Sequence, residues 1–385
     1  MIRVILMLDC SSEFDRRLLR GIMRYSKENG SWQFYRMPSS LRSGTDREQW
    51  VVDWVKQWKA DAVIGRWDEN KVELLDSLDI PIVLQNYRSR SAVYSNLTGD
   101  YIGTGRLAAR SFIKKRFRRF AYFGVRNVVW SEERREGFQE EIEKVQGDFH
   151  SLMVDPFLED TMLREQVGSW LKSLPKPVAM FACDDAHALF ITETCKMSGI
   201  RIPNDIALLG VDNDELLCEI SDPPISSIEL DVEQGGYTTC RLLHERILGK
   251  DRSPFSVVIN PKTIIRRSSD KSYDIKDTAV AKVVEHIENH YTEDVTVEDL
   301  MRQASLSRRA LEIRFRKEMH NTLYQFLTEC RIEQFAYLLV TTKKPLYEIA
   351  YEDGFKDGTN YSRIFRKHKN CSPIEYRNLA GLQPE

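Results

Sequence analysis

The sequence predicts a two-lobed α/β body followed by a small all-α domain that holds two helix-turn-helix units. Three observations predict it: short continuous apolar runs recur up to about residue 265, the pattern after Thr278 is helical throughout, and a polar seam separates the two. At 385 residues the chain exceeds one ordinary domain. Its 42% apolar and 30% charged residues are those of a soluble globular protein.

The apolar runs come first. "VILML" (Val4–Leu8), "ADAVIG" (Ala60–Gly65), "IPIVLQ" (Ile80–Gln85), "RFAYFG" (Arg119–Gly124), "PVAMFAC" (Pro177–Cys183) and "DIALLGVD" (Asp205–Asp212) are short, rich in aliphatic and aromatic residues and bounded by Asp, Gly or Pro. Amphipathic stretches lie between them, at Asp15–Lys27, Tyr101–Lys114, Glu132–Lys144 and Ala186–Met197. Continuous apolar strands separated by helices imply parallel sheets covered on both faces. About twelve such elements before Arg267 exceed one compact sheet, so two similar lobes are expected. Ligands of such sheets bind at the carboxyl ends of strands.

"RRSSDKSYDIKD" (Arg266–Asp277) has almost no apolar content and reads as a linker. The expected boundaries are 1–267 for the body, 268–277 for the linker and 278–385 for the helical domain. That domain repeats itself weakly: "FRK" occurs at Phe315–Lys317 and at Phe365–Lys367, and "VEDLMRQASLS" parallels "LYEIAYEDGFK". Each unit reads as helix, tight turn, helix. Gly354 suits the turn of the second unit because glycine takes positive φ freely, and Ser305 stands at that place in the first. The second helix of such a unit can enter a major groove.

In the first unit this helix should start at the N-cap Ser307 and bury Leu311 and Phe315, leaving Arg308, Arg309 and Glu312 on other faces. In the second, Tyr361 and Phe365 form the buried pair, while Thr359, Asn360 and Arg363 face outward. Arginine suits guanine and asparagine suits adenine by paired hydrogen bonds. Arg316, Lys317, Arg366, Lys367 and Lys369 are placed for phosphates. Charge agrees with this division. Met301–Arg377 holds 15 Lys/Arg against 9 Asp/Glu in a chain of net charge -2, so the remainder carries -8. A basic module on an acidic body seeks a polyanion with its tail alone.

Ala350, Gly354, Phe355, Tyr361, Phe365, Arg366, Lys367, Ser372, Pro373, Tyr376 and Arg377 resemble the C-terminal signature of the AraC/XylS family of transcription regulators. The family's usual Gly before "SP" is replaced by Asn370-Cys371, and Met301 and Ser305 stand where a small residue and a Gly are usual. The resemblance implies two helix-turn-helix units joined by a long helix, Leu323 to Thr341, bound to double-stranded DNA. Met1–Arg267 resembles the LacI/GalR-type sensor, related in fold to periplasmic sugar-binding proteins. "RREGF" (Arg134–Phe138), "ACDDAHAL" (Ala182–Leu189), "LLGVDNDEL" (Leu208–Leu216) and "DPPISSIELDVEQGGYTTCRLL" (Asp222–Leu243) carry that resemblance.

It implies a small sugar effector, a pentose such as xylose, with Arg134 and Asp212 at sugar-contacting positions and Asp184 or Asp185 at a third. The physical reading agrees, because charged planar groups hold neighbouring hydroxyls by charge-assisted hydrogen bonds. From the first lobe Asp9, Phe14 and Trp67 follow strands, the two rings as candidate stacking faces. Catalysis is not expected: Asp184 and Asp212 could form a carboxylate pair, but GxSxG, GxxxxGK[ST] and HExxH are absent. No cofactor is expected. Seven cysteines without CxxC or CxxH spacing argue against a disulfide framework or structural zinc. The apolar run ending at Asp9 is too short for a signal peptide or membrane span, so the expected setting is the cytoplasm. The expected partners are DNA, the sugar, a second copy of the chain and RNA polymerase.

Overall fold

A computed structural model describes residues 1–8, 11–36, 47–67, 74–75, 77–85, 89–155, 160–249, 253–342, 344–355 and 360–379. The chain divides into two compact units, Met1–Asp270 and Lys271–Glu385.

Unit 1 contains two six-stranded sheets. The first lobe joins β1 (Arg3–Met7), β2 (Gln33–Arg36), β3 (Ala62–Gly65), β4 (Ile82–Leu84), β5 (Ser95–Gly99) and β11 (Ser256–Ile259) in the order β11-β5-β4-β3-β1-β2. The second joins β6 (Arg119–Val125), β7 (Asp148–Val154), β8 (Val178–Ala182), β9 (Ile206–Val211), β10 (Ser226–Leu230) and β12 (Pro261–Ile265) in the order β12-β10-β9-β8-β6-β7. Every pairing is parallel except that of β12 with β10. The helices are α1 (Glu13–Glu28), α2 (Arg47–Trp58), α3 (Tyr101–Lys114), α4 (Val129–Lys144), α5 (Asp160–Ser173), α6 (Asp185–Met197), α7 (Glu215–Ile220) and α8 (Val232–Ile247). Central strands such as β3, β8 and β9 are buried at every residue, as sheets covered on both faces require.

The chain crosses between lobes after β5, β10 and β11, and the three crossings are tied to one another. Asp100 N–H donates to the Ile259 carbonyl (2.9 Å), and Asp231 N–H donates to the Asn260 carbonyl (3.0 Å). Two helix pairs flank them at backbone contact. A methyl group on Gly105 of α3 would lie 2.1 Å from the Arg134 carbonyl oxygen of α4, and one on Gly137 would lie 2.1 Å from that of Ile102. Gly105 of "YIGTGR" therefore serves helix packing, as does Gly21 of α1 against α8, whereas Gly103 leaves room for the Asp100 cap of its own helix.

Unit 2 is all helix: α9 (Thr278–His290), α10 (Val297–Ala304), α11 (Arg308–Met319), α12 (Leu323–Thr341), α13 (Leu346–Glu352), α14 (Tyr361–Lys369) and α15 (Pro373–Leu379). It has two small cores, and α12 feeds both. Leu323, Phe326 and Leu327 pack with α9–α11, while Ile332, Phe335, Ala336 and Leu339 pack with Ile349, Ala350 and Phe365. Ser305 (φ +53) and Gly354 (φ +78) make the two turns with left-handed backbone.

The polar stretch read as a linker opens inside unit 1. Ser269 and Asp270 are fully buried. Asp270 receives Lys115 Nζ (2.7 Å) and Ser226 Oγ (2.6 Å) and pairs with Arg266. Burial opposes its charge, yet the Lys115 and Arg266 cations hold the carboxyl down at about 2. A carboxyl lowered in this way adds stability above its unfolded value, and the gain is lost as pH falls toward 2. Lys115→Met should destabilise unit 1 by about 3–5 kcal/mol, since a buried carboxylate loses a cation. Calorimetry should find the unit 1 transition lowered and that of unit 2 unmoved.

Candidate ligand cleft and nucleic-acid interface

The carboxyl ends of the second sheet gather the charged groups singled out in the sequence. Arg134 lies on α4, where close packing against α3 fixes its backbone, and is 3% exposed. Its guanidinium donates to the Cys183 carbonyl oxygen and lies between two aromatic faces, 5.5 Å from the Tyr101 ring and 5.4 Å from the Trp130 ring. Cation–π contact of this kind stabilises a desolvated charge. Nη2 is 3.6 Å from Asp212 Oδ1.

Asp212 follows β9 with φ +100, and Asn213 comes next with φ +50. Two consecutive left-handed non-glycine residues cost on the order of 1–3 kcal/mol each and persist where surroundings impose them. Here three bonds impose them. Asp212 N–H donates to the Ile228 carbonyl (2.9 Å), Asn213 N–H to Ser227 Oγ (3.0 Å) and Asp214 N–H to Asp185 Oδ2 (2.8 Å). Burial pushes the Asp212 carboxyl up to about 6 against the pull of Arg134, and Asp184 adds to the rise. Among the described residues, neither Arg134 Nε nor Asp212 Oδ1 has a hydrogen-bond partner, and both atoms are buried. Unmet buried polar atoms are costly and mark places where a further polar group belongs.

Asp184 and Asp185 are adjacent but differently placed. Asp184 is the N-cap of α6, accepting from His187 N–H (2.7 Å) and lying 2.7 Å from His187 Nδ1. Burial opposes its charge, but His187 outweighs that and lowers the carboxyl, while the His187 imidazole is raised well above its usual value. Asp185 is buried, with its oxygens taken by Asp214 N–H and Ser227 Oγ (2.6 Å). It holds the Asp212 turn from beneath.

From the first lobe, Phe14 sits half-buried in the first turn of α1. Trp67 is 4% exposed and packs with Ile5, Met7 and Leu84, so almost none of its ring is open to a ligand in this conformation. Asp9 lies outside the described residues. Gln85, at the carboxyl end of β4, was not singled out in the sequence. It is buried, and its Oε1 has no hydrogen-bond partner among the described residues.

Ion pairs bridge the lobes on either side. Arg16 of α1 reaches Asp214 (3.4 Å), Arg17 reaches Glu229 (3.0 Å) and the Asn213 carbonyl (3.3 Å), and Arg90 grips Glu133 at 2.5 and 2.6 Å. Among the described residues one group has metal-ligand character: Cys183, Asp184 and His187 offer donor atoms within 4.8 Å of one another. The Asp184–His187 pair already satisfies itself, and the neighbouring Arg134 charge disfavours a cation.

In unit 2 the exposed faces of α11 and α14 carry the expected groups. Arg308, Arg309, Glu312, Asn360, Arg363, Arg366 and Lys367 are all exposed, with Arg308 paired to Glu312 at 3.0 Å. Thr359 lies outside the described residues. Leu311, Phe315 and Phe365 are fully buried, and Tyr361 is half-buried. Two arginines of this basic module are struts. Arg331 of α12 donates to the Tyr291 (2.7 Å) and Glu293 (3.0 Å) carbonyls after α9, and Arg377 donates to those of Leu339 (3.2 Å) and Lys344 (2.7 Å). Ile313, 59% exposed, lies between Arg309 and Arg316 on α11.

Comparison with known proteins agrees with this division. A periplasmic binding protein-like domain matches residues 109–269, and a helix-turn-helix domain matches residues 300–379. The chain is 26% identical to the xylose operon regulatory protein of Escherichia coli K12, over 98% of this chain and 97% of that one. It is also 26% identical to the protein of that name from Haemophilus influenzae, over 97% and 98%. The fold is shared with a solved xylose-binding transcription activator, at TM-score 0.61 and 23% identity, covering 100% and 98% of the two chains. A binding-protein/LacI-type regulator from Alkaliphilus metalliredigens, solved with D-xylulofuranose, matches at TM-score 0.58 and 18% identity, over 70% of this chain and 99% of its own. The chain joins a periplasmic binding protein-like domain to a helix-turn-helix domain.

The exposed faces make a sharp test. Arg363→Ala should weaken binding to a duplex selected from random DNA by about 1–3 kcal/mol while barely changing non-specific binding. Lys367→Ala should weaken both and lower the salt slope by about one. Equal losses on both DNAs for Arg363→Ala would overturn its assignment as a base contact.

Proposed function

We propose that this protein is a sugar-responsive transcription regulator whose cleft closes on a pentose, with xylose as the leading candidate, and whose helical module reads double-stranded DNA. The observation that carries the reading is the pair of buried Arg134 and half-buried Asp212, with one buried polar atom of each side chain unbonded among the described residues. A sugar's neighbouring hydroxyls suit both: one accepts from the guanidinium, another donates to the carboxylate. In this reading Asp184 rather than Asp185 meets the ligand, because both oxygens of Asp185 are committed whereas the α6 cap and His187 both use Oδ1 of Asp184. Phe14 and Gln85 are proposed as contacts from the first lobe.

Binding can shift the lobes only through tighter contact with one arrangement than another. The Arg16, Arg17 and Arg90 pairs that bridge the lobes would be remade as they move. Each module has two candidate recognition helices on exposed faces, and a homodimer would present two modules to paired half-sites. We place the protein in the cytoplasm, with RNA polymerase as a further partner. No described helix is long and apolar enough to cross a membrane.

The cleft suits binding better than turnover. Asp184 is committed to capping α6 and to His187. Cys183, the nearest thiol, is fully buried, and that burial raises its pKa, the reverse of what a nucleophile needs.

Calorimetric titration with a panel of pentoses and hexoses tests the reading. One pentose should bind, and Asp212→Asn and Arg134→Lys should each weaken it by about 1.5–3 kcal/mol, roughly 10–150-fold. A hexose response with the same losses would replace the pentose, and silence across the panel would remove the sugar.

A further inference from the structure

The turn that carries Asp212 is gripped from three directions, and one grip leads out of the sensor. Arg267 stands two residues past β12, three residues before unit 1 ends at Asp270. Its side chain is only 11% exposed, and all three guanidinium nitrogens are bonded. Nη2 donates to Asn213 Oδ1 (3.0 Å), Nε to Glu219 of α7 (2.6 Å) and Nη1 to the Ile225 carbonyl (3.0 Å). Arg267 therefore spans the β9–α7 turn, helix α7 and the approach to β10 in one rigid planar group.

The backbone beside it is equally fixed. Arg267 N–H donates to Ser226 Oγ (2.7 Å), whose own proton goes to Asp270. Ser268 and Ser269 N–H both donate to the Pro224 carbonyl, at 3.1 and 3.0 Å. The exit segment cannot shift independently of what Arg267 holds. The same turn faces the cleft through Asp212, and through Asn213 and Asp214 it faces Arg17 and Arg16 of the first lobe. A ligand at Asp212, or a movement of α1 on closure, acts on the strained pair Asp212–Asn213, and Asn213 is bonded to Arg267.

We infer that Arg267 is the positioning residue that transmits the state of the cleft to the segment leading into the DNA module, through Asn213. The inference rests on the sugar-responsive reading above. It makes the β9–α7 turn the two-state element and Arg267 its mechanical output. Nothing in this role requires Arg267 to touch the sugar or the DNA. Its removal should uncouple the two bindings without abolishing either.

The test measures full-length protein binding to a duplex selected from random DNA, with and without D-xylose, together with D-xylose affinity by calorimetry. In the native protein the sugar should change DNA affinity by about 5–150-fold. Arg267→Lys, which keeps the charge but cannot span three partners, should leave the D-xylose Kd within about threefold and reduce that change to less than about twofold. Asn213→Gly, which removes the acceptor yet permits positive φ, should do the same and serves if Arg267→Lys folds poorly. The double variant should be no worse than either single one, as expected of two residues in one path. Lys196→Ala, which breaks an exposed pair with Asp222, should keep the native ratio.

Variants that bind D-xylose and retain the native ratio would overturn the inference. So would a loss of sugar affinity parallel to the loss of response, which would make Arg267 a support of the cleft only. A native protein whose DNA affinity ignores every sugar would instead overturn the sugar-responsive reading, and the inference would fall with it.

Discussion

The structure turns on an ion pair, Arg134 buried and Asp212 half-buried, that the described residues around it do not fully satisfy. Withdrawing Arg134 and most of Asp212 from water is costly, and their separation of 3.6 Å leaves part of that cost unrecovered. The surroundings enforce it from both sides. Glycine-mediated contact between α3 and α4 sets the backbone of Arg134, Tyr101 and Trp130 flank its guanidinium, and two left-handed residues aim Asp212 back toward it. A site that holds such charges ready has prepaid the ordering a polyol would otherwise demand, and that preorganisation is the basis of affinity.

The helical unit solves a different problem with the same side chain. Its two cores are small, and α12 must serve both, so little apolar burial fixes one half against the other. Arg331 of α12 fills that role by donating to carbonyls beyond α9, while Arg377 ties α15 to Leu339 of α12 and to Lys344 within the second half. The excess positive charge of this region is thus partly architectural. What remains exposed, on α11 and α14, is the part available to a polyanion.

Much of the fold was legible in the sequence because its signals are local. Continuous apolar runs such as "DIALLGVD" became fully buried strands, and Ser307, Leu311 and Phe315 placed α11 as its cap and periodicity required. The second sheet's polar centre was legible for a related reason: Arg134, Asp184 and Asp212 each follow an apolar strand or open a helix. The remainder depends on tertiary contact. Tyr101 and Trp130 read as ordinary helix residues until α3 and α4 pack, Gln85 reads as the polar end of a run, and Trp67 looks available until the first lobe closes around it. Composition misleads most at the seam. Arg266–Asp270 has the residues of a linker, but each charge in it finds a partner in the second lobe or in the segment itself.

The central claim, that Asp212 and Arg134 bind the ligand as a charged pair, is tested most directly by proton linkage. D-xylose would be titrated at pH 6 in buffers of different ionisation enthalpy, with native protein and Asp212→Asn. With its carboxyl at about 6, Asp212 is half protonated there, and a hydroxyl donated to the carboxylate favours the charged form. The account predicts release of up to about half a proton per sugar bound, fading by pH 8, absent in Asp212→Asn, and accompanied by weaker binding as pH falls below 6. Proton uptake, or the same release from Asp212→Asn, would contradict it.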